Sequence, residues 1–379
     1  MITSSALKVS WLYFIGILAG GTIGITNLYL NEITNFFDLS PFLEGLAVSA
    51  ITFVGAAIGY LIGFQVSKFP VHLVLSISLI FLAIAGFATT STESPVYFLL
   101  YRFSAGFGFT VLVITIPAVM SVIPNDKARS FGLIMWGAYL PIGIAIGMLL
   151  PTLFGLDWVS SFNIHAVICL IASTVTFLKI RMPRHGLSER ASIIDTLKDG
   201  NVLLLGLTFM VFATLFLIFV MLIPLTLSNM TKISASWLGI VSALICATSG
   251  ITSISFAILN IPYKKYRRVV LVGFLGAGCT APFIFLIQNQ PYILMIFLII
   301  GVMLIALIPS CIFPSIPFVM SKNTNAESIS GAIAQLGGVG SLIGPPMLNV
   351  WIAELGWQTG WVMVISLCII GALLFRTNN

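Results

Sequence analysis

Charge is what this sequence has least of: Asp, Glu, Lys and Arg together make up 7% of its 379 residues. A water-soluble domain of this size cannot stay dispersed on so little polar surface, and composition excludes that class. Histidine is scarce too, with His72, His165 and His185 as the full set and no H-E-x-x-H pattern among them. The helical zinc-hydrolase signature is therefore missing, and no Gly-Lys-Ser/Thr loop offers a phosphate cradle for ATP. No Asp or Glu lies deep inside any long apolar run, which leaves an intramembrane hydrolase without its acids. The cysteines, at 169, 246, 279, 311 and 368, all fall within apolar runs. They read as packing residues, disulfides are not expected, and the redox compartment stays open.

What is present is hydrocarbon. Hydrophobic residues make up 59% of the chain and mean hydropathy is +1.13. Runs long enough to cross a core of roughly 30 Å as helices occur at about 9–30, 45–65, 71–90, 96–122, 130–154, 160–178, 202–228, 236–260, 269–288, 291–319, 328–352 and 357–375. Residues 1–31 lack a small-residue cleavage site, and their apolar run reads as the first span rather than a signal peptide. If the N-terminus is cytoplasmic, fifteen of the 17 Lys and Arg fall on inside segments, Lys232 falls outside, and Arg102 falls within a span. That split predicts an N-in, C-in topology, and it makes the formal charge of +6 a topological signal rather than a nucleic-acid footprint. Glu32, Asp38, Glu44, Glu93, Asp157 and Glu354 make the outer side acidic.

Arg102 stands apart. It lies about six residues, or roughly 9 Å, into the fourth span from its outer end, where a guanidinium costs roughly 2.5 to 3.5 kcal/mol on insertion scales. Either it snorkels to the outer headgroups, or it works inside the bundle against a substrate anion, Glu32 or a neighbouring carbonyl.

The longest connection, 181–201, is polar and basic at its start, with a single amphipathic turn through Ile193, Ile194 and Leu197. It separates an N-terminal six-helix half, 1–180, from a C-terminal half, 202–379. Sliding the chain by about 199 residues superposes Lys68 on Arg267, Gly132 on Gly331 and Trp158 on Trp357, and each pair sits at the same topological place. Gly55, Gly59 and Gly63 line one face of span 2 for close packing. Gly and Pro crowd span 5 (Gly137, Pro141, Gly143, Gly147), span 10 (Pro309, Pro314, Pro317) and span 11 (Gly344, Pro345, Pro346). In a bundle such residues give close crossings and bends that a moving half can use.

These residues resemble the major facilitator superfamily over essentially the whole length. Gly63, Lys68 and Phe69 fit its G-x-L-A-D-R-F-G-R-R turn after span 2, while Ser67, Pro70, Val71 and His72 depart from it. Arg102, Gly106 and Gly108 fit its span 4 motif R-x-x-Q-G-x-G, with Ala105 in place of Gln. Gly137, Pro141 and Gly143 echo its span 5 antiporter motif. The end of span 1 is similar to the D-x-Y-L-P of drug and metabolite proton antiporters through Tyr29 and Leu30, but Asn27 replaces the Asp and Asn31 the Pro. An amide cannot titrate as that carboxylate would.

The resemblance implies an all-α membrane protein with 12 spans in two pseudo-symmetric six-helix bundles around a cavity lined by spans 1, 4, 7 and 10. It also implies a secondary carrier working by alternating access. With no deep carboxylate, neutral or anionic amphipathic solutes are favoured over cations. Asn27, Arg102 and Tyr139 are the first candidates for substrate or coupling contact, followed by Tyr29, Tyr101, Trp136 and Glu32, although such aromatics also serve as core or interface anchors. Gly63, Lys68, Gly106, Gly108, Pro141, Gly143, Arg267, Gly344 and Pro345 are the candidates for conformational change. No cofactor is expected beyond a proton or ion gradient, and a monomer in membrane lipid is the expected assembly. Short loops point to a bacterial cytoplasmic membrane. Proton-coupled export and organic-anion uptake without proton exchange compete, with a channel or an intramembrane enzyme as remote alternatives.

Overall fold

The computed structural model describes residues 5–66, 68–121, 123, 125–179, 198–230, 234–259, 261–287, 290–320, 324 and 326–375. The amphipathic turn expected within the 181–201 connection lies outside them.

Described elements are helical throughout: α1 Ser5–Leu28, α2 Leu30–Phe37, α3 Pro41–Ser49, α4 Phe53–Val66, α5 Val71–Thr90, α6 Pro95–Ser121, α7 Asp126–Trp136, α8 Tyr139–Phe154 and α9 Trp158–Lys179. They continue as α10 Gly200–Met230, α11 Ala235–Leu259, α12 Tyr266–Leu286, α13 Pro291–Ala306, α14 Pro309–Val319, α15 Ala326–Leu355 and α16 Gly360–Leu374. Among the described residues, 11 helical segments are long and apolar enough to cross a membrane, and α7 with α8 makes a twelfth span bent by 51°. Each of the twelve sequence runs thus forms helix among its described residues. Helix is the only open choice for a lipid-embedded backbone, which must satisfy its own N–H and C=O groups.

Span 2 begins earlier than its apolar run suggests. Ser40 caps α3 by accepting from Leu43 N, and Pro41 occupies the first turn, where its missing N–H costs nothing. Glu44 is thus part of the helix rather than of the preceding loop. A second short helix, α2, follows span 1 and turns its apolar face, Leu30, Ile33 and Phe37, inward.

Helices break at the Gly- and Pro-rich places of spans 5 and 10, and α4 kinks at Ile58 between Gly55 and Gly59, whereas Pro117, Pro151, Pro224 and Pro282 lie inside unbroken helices. Span 5 bends between Trp136 and Tyr139, and span 10 changes helix between Ala306 and Pro309. Helix α15, however, runs through Pro345 and Pro346 unbroken. Pro346 has no N–H for the carbonyl of Leu342, and that carbonyl instead accepts from the Ser49 hydroxyl at 3.0 Å.

Chain connectivity places Lys8, Lys68, Lys127, Arg129, Lys179 and Lys264 at one end of the helices, here the basic end. Glu32, Glu44, Glu93, Asp157 and Glu354 lie at the other, acidic end. Helices α3 and α4 pack on α15, α8 packs on α11, and α7 meets α14, forming a seam between the first six spans and the last six. Glycines bring backbones together along it. A Cβ on Gly45 would stand 2.6 Å from Pro346 N at the acidic end, and one on Gly331 would stand 3.2 Å from Gly59 O at the basic end. The seam is packed at both ends.

Candidate functional site: a contracted cavity and a buried guanidinium

Between these ends lies a cavity of about 60 Å³ lined by Ile23 of α1, Thr52 and Gly55 of span 2, Phe109, Thr110 and Val113 of α6, and Tyr139 and Leu140 of α8. From the last six spans it takes Phe209, Phe212, Ala213, Phe216 and Leu217 of α10, and Ala334, Gly337, Gly338 and Ser341 of α15. It has room for a few waters, whereas a site for a small organic molecule occupies roughly 300 to 1,000 Å³. The walls are aromatic and aliphatic, the polar groups are hydroxyls, and no lining residue carries a formal charge. Of this set the sequence marks only Tyr139 as a candidate for substrate contact, and Gly55 as a packing residue. Phe209, Phe212 and Phe216 repeat at helical spacing, but inside a helix that is apolar all round such spacing marks no particular face.

Tyr139 reaches the cavity from the bend of span 5, where its ring stacks on Trp136 at 3.9 Å and 12° between planes. Trp136 is fully buried beneath Gly16 of α1, whose Cβ would stand 2.6 Å from the indole. Trp136 therefore supports Tyr139 from behind rather than lining the cavity.

Arg102 does not snorkel. It is 1% exposed, and its Nη1 donates to Thr22 Oγ1 of α1 at 2.8 Å. Its Cζ lies 5.6 Å from the centre of the Phe162 ring of α9, within cation–π range. Beside it, His165 donates from Nε2 to the Leu18 carbonyl at 2.8 Å. Arg102 thus ties α6 to α1 and α9 within the first six spans and is not among the cavity's lining residues. Sequence reading offered Glu32 as a partner, but Glu32 is exposed on α2. Thr22 takes its place, and nothing in the pattern of α1 distinguishes that hydroxyl from Thr26.

Asn27 is buried; its Nδ2 donates to Ile23 O at 3.0 Å, one turn back along α1, and its Oδ1 makes no hydrogen bond. Tyr29 follows α1 and donates its hydroxyl to the Leu156 carbonyl, with Ser161 donating to the same phenol oxygen at 3.4 Å. It anchors the acidic end of α1 to the α8–α9 turn, away from the cavity. Tyr101 is half-buried and stacks on the exposed Tyr97, also outside the cavity.

The small residues mark close approaches. A Cβ on Gly106 would stand 2.5 Å from Ile51 O, on Gly108 2.4 Å from Ser78 O, on Gly143 2.5 Å from Ile17 O, and on Gly344 2.9 Å from Thr214 O. Pro141 is buried in α8, and Pro345 faces Gly45 across the seam. The Gly63 backbone meets Gly331 at the basic end. Lys68 is exposed there, its Nζ 2.9 Å from Gln65 Oε1 and over the Phe64 ring, and Arg267 is exposed beside the start of α12.

The acidic end carries a pH-dependent element. Partial burial, and then the charge of Asp157, push the Glu32 carboxyl above its ordinary range, while bonds from Ser160 hold Asp157 below its own. Glu32 binds its proton more tightly in the folded protein, and its contribution to stability is present below the ordinary carboxylate value and lost as pH rises through the raised one. Asp157 does the opposite, stabilising above its ordinary value and losing that contribution as pH falls through the lowered one. Glu32→Gln is expected to raise the melting midpoint slightly at pH 7, with the gain over wild type vanishing below about pH 4; thermal unfolding across that range checks it.

The Major Facilitator Superfamily model matches residues 12–345. Among solved structures, the human organic anion transporter MFSD10 (TETRAN) aligns with a TM-score of 0.75 at 16% identity, covering 99% of this chain and 100% of that one. The proton:xylose symporter XylE bound to 6-bromo-6-deoxy-D-glucose aligns at 0.79 and 12% identity, covering 98% and 95%. A bacterial homolog of the human lysosomal transporter Spinster, inward-facing and occupied, aligns at 0.73 and 15%, covering 97% and 95%. No curated protein matches the chain by sequence.

Proposed function

The chain belongs to the major facilitator superfamily, and from that premise we propose that it is a secondary carrier moving a small amphipathic or anionic metabolite across a bacterial cytoplasmic membrane by alternating access. The observation that carries this reading is the cavity at the seam, contracted to about 60 Å³ between two packed ends. Parting the seam at either end would widen the cavity toward that side, with 1–180 and 202–379 as the moving halves and N-in, C-in as the orientation. Tyr139, Thr52, Thr110 and Ser341 would give the solute hydrogen bonds, and the Phe side chains would cover its apolar part. A cation would find no negative charge on these walls.

Export in exchange for protons is the energetic reading favoured by the span 4 motif around Arg102. Uptake of an organic anion without proton exchange is the second reading, favoured by Asn27, a buried amide that cannot shuttle protons.

The test begins with a thermal-shift screen of the purified monomer against small aromatic acids, aromatic alcohols, sugars and quaternary amines. Counterflow of the stabilising compound follows, in liposomes loaded with a pH-sensitive dye. Saturable counterflow of an aromatic acid or alcohol is expected, and a dye response to added solute selects proton exchange over uncoupled uptake. Non-saturable conductance, or a preference for the quaternary amines, overturns the reading.

A further inference from the structure

Arg102 leaves most of its hydrogen-bonding capacity unused. Nη1 is taken by Thr22, while Nε and Nη2 make no hydrogen bond within the protein although the side chain is 1% exposed. Those two nitrogens form the side edge of the guanidinium, with parallel N–H bonds at the spacing that grips a carboxylate bidentately. The Cζ lies over the Phe162 ring, 5.6 Å from its centre, a contact that uses neither N–H group of the edge.

The surroundings do not neutralise the charge. Among the described residues the ion pair present is Arg129 with Asp126, at the basic end, and Arg102 has no carboxylate partner. His165 brings no negative charge, and its Nε2 is committed to Leu18 O. The unpartnered acceptor Asn27 Oδ1 lies on α1, five residues beyond Thr22, and an amide oxygen is neutral. A full charge sealed from water with one hydrogen bond is expensive unless a counter-charge completes it.

We propose that the Nε/Nη2 edge of Arg102 is a binding subsite for one monovalent anion, held where α6 faces α1 and α9. The anion is either a free halide or the carboxylate of the transported solute; the second source deepens, and rests on, the carrier reading above. The structure thereby assigns Arg102 the role of anion receptor within the first six spans, seven residues along α6 from Phe109 of the cavity wall.

The test uses the full-length protein in detergent, with sodium HEPES as the bulky balancing salt. Sodium chloride and sodium benzoate are titrated separately at constant ionic strength, and thermal unfolding is followed. Wild type is expected to gain roughly 2 °C or more near saturation with at least one of the two. Arg102→Lys, which keeps the charge but loses the edge, should show a smaller gain, and Arg102→Gln none. A response to chloride alone assigns a free halide, whereas a response to benzoate, alone or in competition with chloride, assigns the solute's head group. Should the Gln variant not fold, anomalous diffraction from bromide-soaked wild-type crystals decides, with a peak about 3.5 Å from Nε expected. A wild-type midpoint unmoved by both anions, an undiminished response in Arg102→Gln, or, where chloride raises the midpoint, bromide crystals without that peak overturns the subsite. Because binding is read at equilibrium in detergent, a protein that binds chloride yet shows no counterflow would overturn the carrier reading and leave the subsite standing.

Discussion

Replacing Gly45 by leucine is expected to leave the protein folded, to lower counterflow by at least about tenfold, and to hold the acidic end of the seam apart. A Cβ there would stand 2.6 to 2.8 Å from Pro346 N, Pro346 Cα and Pro345 C. These are backbone atoms, which cannot swing aside as a side chain would. Overpacking of this kind costs about 1 to 3 kcal/mol or more, and about 1.4 kcal/mol is already tenfold in a two-state population. The penalty falls on the closed seam alone, because α3 and α15 meet only across it, and parting them relieves the strain without unfolding either helix. The opposite variant, Gly331→Leu, crowds Gly59 O, Gly63 Cα and Tyr60 Cα and should hold the basic end apart instead. Ser341→Cys on the cavity wall, in a background without other cysteines, reports the difference. An impermeant maleimide should label it from the acidic side in the first variant and from the basic side in the second. Equal labelling in both would remove the seam from the mechanism. Glycines within the first six spans set the contrast: Cβ atoms on Gly24 and Gly147 would stand 2.2 Å from Ile144 O and 2.3 Å from Gly21 O. Those contacts join α1 to α8 within the first six spans, and leucine at either position should prevent recovery of folded protein.

Arg102→Met should separate stability from transport. Methionine keeps the unbranched length of the arginine stem, fills irregular space readily and removes a sealed charge that makes one internal hydrogen bond. Exchanging buried charge for apolar volume is often neutral or stabilising by roughly 1 to 4 kcal/mol, against roughly 1.5 to 3 kcal/mol for the charge-assisted bond lost at Thr22. The melting midpoint is therefore expected to stay near that of wild type while counterflow falls by at least about tenfold, since the charge is what the methionine lacks. A variant that transports at the wild-type rate would reduce Arg102 to a packing residue. One that melts far below wild type would make the charge structural.

The span count was legible because each crossing needs about 20 apolar residues in sequence, and a run such as 202–228 admits few alternatives. Arg102 was legible as well, being the one full charge within such a run. The faces of the helices were not. In α10 nearly every position is apolar, so Phe209, Phe212 and Phe216 toward the cavity look no different from residues turned to lipid. Polar and aromatic character marked Tyr29, Tyr101, Trp136 and Asn27 as cavity candidates, yet Tyr29 anchors a turn, Tyr101 stacks on an exposed Tyr97, and Trp136 is a support. Hydrogen-bonding groups at a membrane boundary have several satisfactory homes, and only the packing selects one. The charge of Glu44 ends an apolar run and so reads as loop, although the Ser40 cap and Pro41 already mark a helix start there.

The hydroxyl of Ser49 on the Leu342 carbonyl has a consequence for how the acidic end moves. Pro346 has removed one rung from the ladder of α15, and the replacement donor belongs to the other half of the molecule. On the carrier reading, drawing the halves apart exchanges that bond for one to water at the opened mouth, and bringing them back restores it at a net gain of about 1 kcal/mol. The proline thus turns an ordinary helix defect into one of the catches at this mouth, beside the bond of Asn349 Nδ2 to Pro41 O at 3.2 Å, with the Ser49 hydroxyl shared between Leu342 O and Gly45 O of its own helix.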